Sequence, residues 1–339
     1  MVYRSRAPLR VSFAGGGTDV SPYPETKGGA VLSTAITRFC HATLRPRRDG
    51  LVRIASQDYG RALTFPADRI PPADGNLDLL KGTVRGAGDL GSGCDILVRS
   101  DVAPGSGLGA SSALVVAALA VLHAWQGGRP TGHELAEQAF RVERVDLGIS
   151  GGRQDQYAAA FGGFNYIEFL PSQTVVHPLC LPRALLNELQ YHLLLWYTGE
   201  NHPARDITAA QVEAYRAGEG TVVDSLDELK NLAVAMHRAI LSYDLRTFGR
   251  LLAEGWEHKK RLASGISTGR IDALYMAARS AGATGGKLLG SGGGGHILLF
   301  CPDGAKARVT QALSQLGGSE APMEFCRQGV DVWEVPTGD

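Results

Sequence analysis

Glycine is the residue that most restricts this chain. There are 44 glycines in 339 residues, about 13% against a usual share of roughly 7%. Twenty of them fall in four places: 15–29, 105–109, 148–163 and 285–295. Glycine loses more freedom on folding than any other residue, and it earns its place where backbone turns sharply or comes close to a ligand. Tight turns alone could explain one such cluster, but explain four poorly.

The rest of the composition narrows the classes. At 44% hydrophobic and 20% charged residues, the chain can build a sizeable core and does not read as disordered. Its 34 Lys and Arg balance 34 Asp and Glu, so nothing in its net charge draws it to nucleic acid or anionic lipid. The longest apolar run, Ala113 to Leu122, is too short to span a bilayer. The opening Met-Val-Tyr-Arg-Ser-Arg-Ala-Pro has no apolar signal-peptide core. A soluble cytoplasmic protein, with no nucleic-acid or membrane partner, is expected. Cys40, Cys94, Cys180, Cys301 and Cys326 are far apart and contain no C-x-x-C, so neither a disulfide framework nor a zinc site is indicated.

Patterning predicts mixed α and β structure. Alternating residues predict strands at 6–13 and 51–56, and β-rich stretches predict others at 30–45, 94–102, 164–169 and 174–179. A helix is expected at 77–88. The Ala/Leu-rich run 113–122 reads as a buried helix. Thr131-Gly-His-Glu134 is a capping box opening a helix that reaches about Asp146, and a short helix starts near Arg153. Prolines 171, 178 and 182 suggest a boundary, with domains at 1–180 and 181–339. Beyond it come a strand at 191–197, helices at 204–216, 222–241, 246–262 and 268–281, and strands at 284–289 and 296–301. A helix at 304–315 and one or two strands complete the chain.

The chemistry starts in Pro104-Gly105-Ser106-Gly107-Leu108-Gly109-Ala110-Ser111-Ser112, which runs straight into the apolar helix. Successive N–H groups of a glycine loop, backed by a helix N-terminus, form an anion cradle. Ser111 and Ser112 add hydroxyls for Mg²⁺ or phosphate. The loop lacks the lysine of a Walker A motif. Gly105, Gly107 and Ala110 do fit the dinucleotide-binding pattern, but the stretch 125–130 carries no acid and no strand. An NAD(P) dehydrogenase therefore stays as the alternative from another class. Downstream, Glu143 and Asp155 flank the glycine turn 148–152, which could bring the two carboxylates together to hold a metal and take a proton. Near the end, Gly290-Ser-Gly-Gly-Gly-Gly-His296 is either a close ligand contact or a flexible hairpin tip. Lys287, just before it, could meet a phosphate or simply be solvated.

Three motifs together resemble the GHMP kinase superfamily: Ala7-Pro-Leu-Arg-Val11 through Gly15-Gly-Gly-Thr-Asp19, Pro104 to Ala113, and Lys287 to Gly295. The resemblance implies an α+β, two-domain fold: an ATP-binding N-terminal domain with a left-handed β-α-β crossover and a ferredoxin-like C-terminal domain. It implies ATP and Mg²⁺, with residues 104–112 on the phosphates, Ser112 and Glu143 on the metal, Asp155 as base, and Arg10 near the transferred phosphate. A finer resemblance, carried by 13–19, 152–163, Tyr197-Thr-Gly199 and Trp256 to Leu262, is to the sugar 1-kinases of that superfamily that act on a heptose 7-phosphate. Galactokinases carry Gly-Glu-His-Thr-Asp where this chain has Gly15-Gly16-Gly17-Thr18-Asp19, which disfavours galactose and leaves fucose, uronic acid or hexosamine as alternatives. The expected substrate contacts are Gly16, Gly17, Thr18, Asp19, Gly293 and Gly294. Arg153, Arg205 and Lys260, with Lys259 and Arg261 beside them, are expected to supply cations for a sugar phosphate. The expected partners are that sugar phosphate and ATP; monomer or homodimer is left open.

Overall fold

The structure is a computed structural model; it describes residues 1–201 and 205–336, with nothing said of the side chains of Arg205 and Asp206. Two long strands, β1 (Val2–Ala14) and β2 (Gly29–Arg47), form its antiparallel spine. The five-residue helix α1 (Tyr23–Lys27) lies between them. A hairpin of β3 (Leu51–Ser56) and β4 (Arg61–Pro66) follows, then α2 (Asp78–Gly86) and β5 (Gly93–Ser100). The far half of β2 pairs with β5 and its near half with β6 (Phe164–Phe169), which carries β7 (Thr174–Pro178). Among the described pairings, β3 with β5 is the parallel one.

Beneath this sheet lies α3 (Ala110–Trp125), whose residues from Ser112 to Leu122 are all buried except Leu114. Its Ala, Val and Leu side chains are apolar all round, as a helix covered on every side requires. The helix begins three residues before the apolar run, so both serines fall in its first turn. The predicted capping box is present at Thr131 and Glu134 and opens α4 (Gly132–Phe140). The α-helix expected to reach Asp146 stops there, however, and Arg141–Asp146 is a π-helical turn. Widened turns of this kind recur at functional sites because they re-aim a side chain. Next comes α5 (Gln154–Phe161).

A second sheet is built from β8 (Leu193–Tyr197), β9 (Gly285–Leu288), β10 (His296–Phe300) and the short β11 (Ser319–Glu320), in the order β11-β8-β10-β9, all antiparallel. The helices α7 (Arg205–Arg216), α8 (Gly220–Leu241), α9 (Leu245–Lys260) and α10 (Gly269–Ser280) connect β8 to β9, and α11 (Lys306–Leu316) connects β10 to β11. That connectivity and strand order are ferredoxin-like. Before β8 the structure has a helix, α6 (Arg183–His192), where the sequence reading began a strand at Tyr191. Pro182, one of the prolines that suggested the boundary, is its N-cap.

The chain does not end in the second layer. β12 (Asp331–Val335) returns to pair with β1, and Phe325 bridges to Ile36. The expected second domain 181–339 thus gives its last strand back to the first sheet, where it covers an edge that would otherwise be open to pairing. Phe13, Phe248 and Phe300 pack ring to ring between the layers, with centroids 5.2 and 6.5 Å apart.

Candidate active site

Between the loops of the first sheet and the glycine loop after β9 lies a cleft of about 850 Å³, within the range of small-molecule sites. Its floor is the loop between β5 and α3. Pro104, Gly105, Ser106, Gly107, Gly109, Ala110, Ser111 and Ser112 line the cleft. Leu108 does not. It is 1% exposed and plugs the core, while its carbonyl accepts the Arg10 N–H at 3.0 Å. The two glycine motifs interlock: a Cβ on Gly107 would lie 2.6 Å from the Leu289 carbonyl oxygen, and one on Gly290 2.6 Å from the Gly107 Cα. His296 Nδ1 pairs with the Ser106 carbonyl at 2.8 Å. Distant segments are thereby locked edge to edge by backbone that no side chain could replace.

The two acids meet this loop. Arg10, buried on β1, donates from Nε to Asp155 Oδ1 at 2.8 Å and lies 2.7 Å from it through a terminal nitrogen. Its other terminal nitrogen donates to the Gly107 carbonyl at 2.6 Å. The Asp155 Oδ2 carries no hydrogen bond among the described residues, so one oxygen is anchored and the other faces the cleft. Glu143, fully buried in the π-helical turn, accepts from Ser111 Oγ at 3.1 Å on Oε1 and from Gln156 Nε2 at 2.5 Å on Oε2. Its nearest cation is Arg144, at 3.9 Å. The hydroxyl that bonds Glu143 belongs to Ser111; Ser112, the residue expected on the metal, lines the same cleft one position on, at 1% exposure. A carboxylate and a hydroxyl beside a phosphate cradle form a hard-oxygen donor set of the kind Mg²⁺ takes.

The turn after β1 forms the wall next to Asp155. Gly16, Gly17 and Asp19 line the cleft. Asp19 accepts the N–H groups of Gly17 and Gln154 and the Gln154 side-chain amide, each at 3.1 Å. Burial pushes its carboxyl above the ordinary aspartate value; the N–H groups oppose this and the neighbouring Asp155 adds to it. Thr18 points the other way, bonding the Gly15 and Ala30 carbonyls, and does not line the cleft. Gly294 lines it and Gly293 does not. A Cβ on Gly152 would meet Asp19 Oδ2 at 1.9 Å. Gly152→Ala should therefore shift the segment that carries Asp155, lowering turnover about 100-fold, the typical cost of a misplacement near 1 Å. Steady-state ADP release from a variant shown to be folded by thermal melting checks this; unchanged turnover would free the 152–155 segment from any positioning role.

The expected substrate cations are mostly elsewhere. Arg153 pairs with Glu137 at 2.9 Å and stacks 3.9 Å over Phe140, lining a separate depression. Lys260 pairs with Glu257 at 3.0 Å beside Trp256. The side chain of Arg205 lies outside the described residues. Lys259 and Lys287 line the cleft instead, both buried. Helical phase explains the exchange of Lys260 for its neighbour: one step along α9 swings a side chain about 100°. Sequence reasoning also missed Gln154, Gln211 and the β3–β4 hairpin tip with Asp58, Tyr59 and Arg61, which line the cleft. Gln211 donates to the Gly17 carbonyl at 3.2 Å across the layers. Gln154 was adjacent to a named residue; nothing local marked the hairpin.

A phosphate cradle at a helix start, a buried carboxylate with a hydroxyl, and a clamped aspartate with one free oxygen define a small-molecule phosphotransferase. The dehydrogenase alternative falls here, because β5 enters the loop from a largely antiparallel sheet rather than a doubly wound parallel one. The family models of the GHMP kinases N terminal domain and the GHMP kinases C terminal match residues 78–163 and 236–318. A D-glycero-alpha-D-manno-heptose 7-phosphate kinase of Campylobacter jejuni is 32% identical over 98% of this chain and 99% of its own. Among solved structures, a D-glycero-D-manno-heptose 1-phosphate kinase from Bacteroides thetaiotaomicron superposes with a TM-score of 0.83 at 33% identity, covering 99% of this chain and all of that one. A sugar kinase from Campylobacter jejuni gives 0.80 at 32%, covering 98% of each. The chain belongs to the GHMP kinases, and it is a sugar kinase that uses ATP. Among the described residues, no helix is long and apolar enough to cross a membrane.

Proposed function

We propose that this kinase transfers the γ-phosphoryl group of ATP to the anomeric hydroxyl of a heptose 7-phosphate, giving heptose 1,7-bisphosphate and ADP in the cytoplasm, where ATP is made available. The observation that carries the chemistry is the clamped Asp155, with Oδ1 on Arg10 and Oδ2 free toward the phosphate loop. Asp155 Oδ2 accepts the proton of the anomeric hydroxyl as its oxygen bonds to the γ-phosphorus. The bond from that phosphorus to the bridging oxygen breaks, and ADP leaves. The loop amides from Gly105 to Ser112 hold the phosphates without reorganising during the reaction. Glu143 and Ser111 would hold Mg²⁺, which when bound neutralises charge on the phosphate oxygens. Gly16, Gly17 and Asp19 face the sugar; Asp19 and Gln154 brace one another there.

The heptose assignment takes its support from the named relatives and from the missing Glu and His at Gly16 and Gly17. A panel of sugars with and without a terminal phosphate, assayed for ADP release, tests it, with phosphorus NMR locating the new ester. A heptose 7-phosphate should give the highest kcat/KM and an ester at C1. Faster turnover of fucose, a uronic acid or a hexosamine would reassign the substrate; an ester elsewhere on the sugar would overturn the anomeric reading.

A further inference from the structure

The cleft contains a buried lysine that makes no ion pair within 4 Å among the described residues. Lys287, on β9, is 3% exposed and lines the cleft. Its Nζ has three N–H bonds to give. Among the described residues its one hydrogen bond is to the Phe13 carbonyl, at 3.4 Å. A buried lysine is ordinarily paired, because an uncompensated charge away from water is expensive.

The neighbouring groups are already committed. Arg10 spends its guanidinium on Asp155 and on the Gly107 carbonyl. Asp19 is covered by three N–H donors. Lys259, on α9, donates to the Leu288 carbonyl at 3.0 Å and to the Gly290 carbonyl. Arg10, Lys259 and Lys287 thus stand around the two carboxylates Asp19 and Asp155, and of these three basic groups Lys287 has the most unused donors.

We propose that Lys287 is a further catalytic residue: its ammonium binds the phosphoryl group as it moves from ATP to the acceptor and remains on the new phosphate of the product. This rests on the kinase reading above, and it divides the labour at the site. Arg10, the expected phosphate cation, instead positions Asp155, and Lys287 takes the phosphate. Placement favours the moving phosphoryl over the substrate's own phosphate. Lys287 is anchored on Phe13, three residues along β1 from Arg10, and its strand leads into the loop that locks onto Gly107. In the proposed substrate, the 7-phosphate stands at the opposite end of the carbon chain from the reacting oxygen.

Burial holds the Lys287 ammonium down at about 7, with Arg10 adding to the effect and Asp19 opposing it. Charged or titratable groups around it are Arg10 on β1, Asp19 after it, Asp155 on α5, Lys259 on α9 and His296 on β10, the last bonded to Ser106. If the charged form binds phosphoryl, kcat/KM for ATP falls as pH rises through about 7.

The test compares Lys287→Met and Lys287→Arg with wild type, using ADP release and equilibrium binding of heptose 7-phosphate. K287M should lose about 100-fold in kcat, the usual cost of deleting a donor to transition-state charge, with the KM for ATP and the Kd for heptose 7-phosphate nearly unchanged. K287R should recover much of the loss and keep its activity above pH 7, since a guanidinium stays charged. A folded K287M with wild-type kcat overturns the proposal. So does a K287M whose defect is weak binding of heptose 7-phosphate at preserved kcat, which would assign Lys287 to the substrate's own phosphate. If K287M fails to fold, the pH profile of K287R decides alone: an alkaline fall identical to wild type overturns the proposal. If the wild type prefers another sugar, the heptose reading fails while the same comparison runs on that sugar.

Discussion

Asp155→Asn is expected to lower kcat by about 1,000-fold, within the span attributed to a positioned general base, while the KM for ATP stays close to wild type. The reason lies in the geometry of Arg10. Two of its three nitrogens bond Oδ1, and an asparagine oxygen can keep those bonds, so the loop and its phosphate cradle stay in place. What disappears is the second oxygen, now an NH₂ that cannot take a proton. ATP contacts the loop amides and should bind as before. Single-turnover rates of ADP formation, with nucleotide affinity measured separately, separate the two effects. Turnover near wild type would remove Asp155 from proton transfer and leave it a purely structural partner of Arg10.

Glu143→Gln should raise the Mg²⁺ concentration needed for half-maximal activity at least tenfold and lower kcat/KM about 100-fold, scales usual for altering a metal's donor set. The variant should fold. Gln156 gives its NH₂ to Glu143 Oε2 and has an Oε1 that is buried without a partner, so turning that amide over would satisfy the new NH₂ on residue 143. Ser111→Ala should shift the Mg²⁺ requirement in the same direction, and Ser112→Ala should barely change it. Direct titration of Mn²⁺ by its electron-spin resonance signal, in the presence of ADP, measures binding without turnover. A larger effect from Ser112→Ala than from Ser111→Ala would assign the metal hydroxyl to Ser112, the residue expected from the sequence.

The two serines show what periodicity leaves undecided. Both were legible as hydroxyls at the start of a buried helix, but which one faces the acid depends on where that helix begins and on how the next one is wound. The helix starts at Ala110, and the π-helical turn Arg141–Asp146 carries Glu143 inward. Lys259 and Lys260 pose the same problem on α9. Adjacent helical positions face different ways, and only packing chooses the inward one.

Local sequence determined the parts that depend on backbone chemistry: the loop from Pro104 to Ser112, the buried helix behind it, the capping box at Thr131, the alternating strands, and glycine wherever backbone had to meet backbone or ligand. These follow from steric and hydrogen-bonding preferences that act over a few residues. The tertiary structure decided what depends on distance in space. It clamped Asp155 to Arg10 across 145 positions of chain, brought β12 back to cover β1, turned Arg153 and Lys260 away from the cleft, and left Lys287 buried with no ion pair among the described residues. A charge becomes functional through its burial and its neighbours, and both are set only when segments remote in sequence pack together.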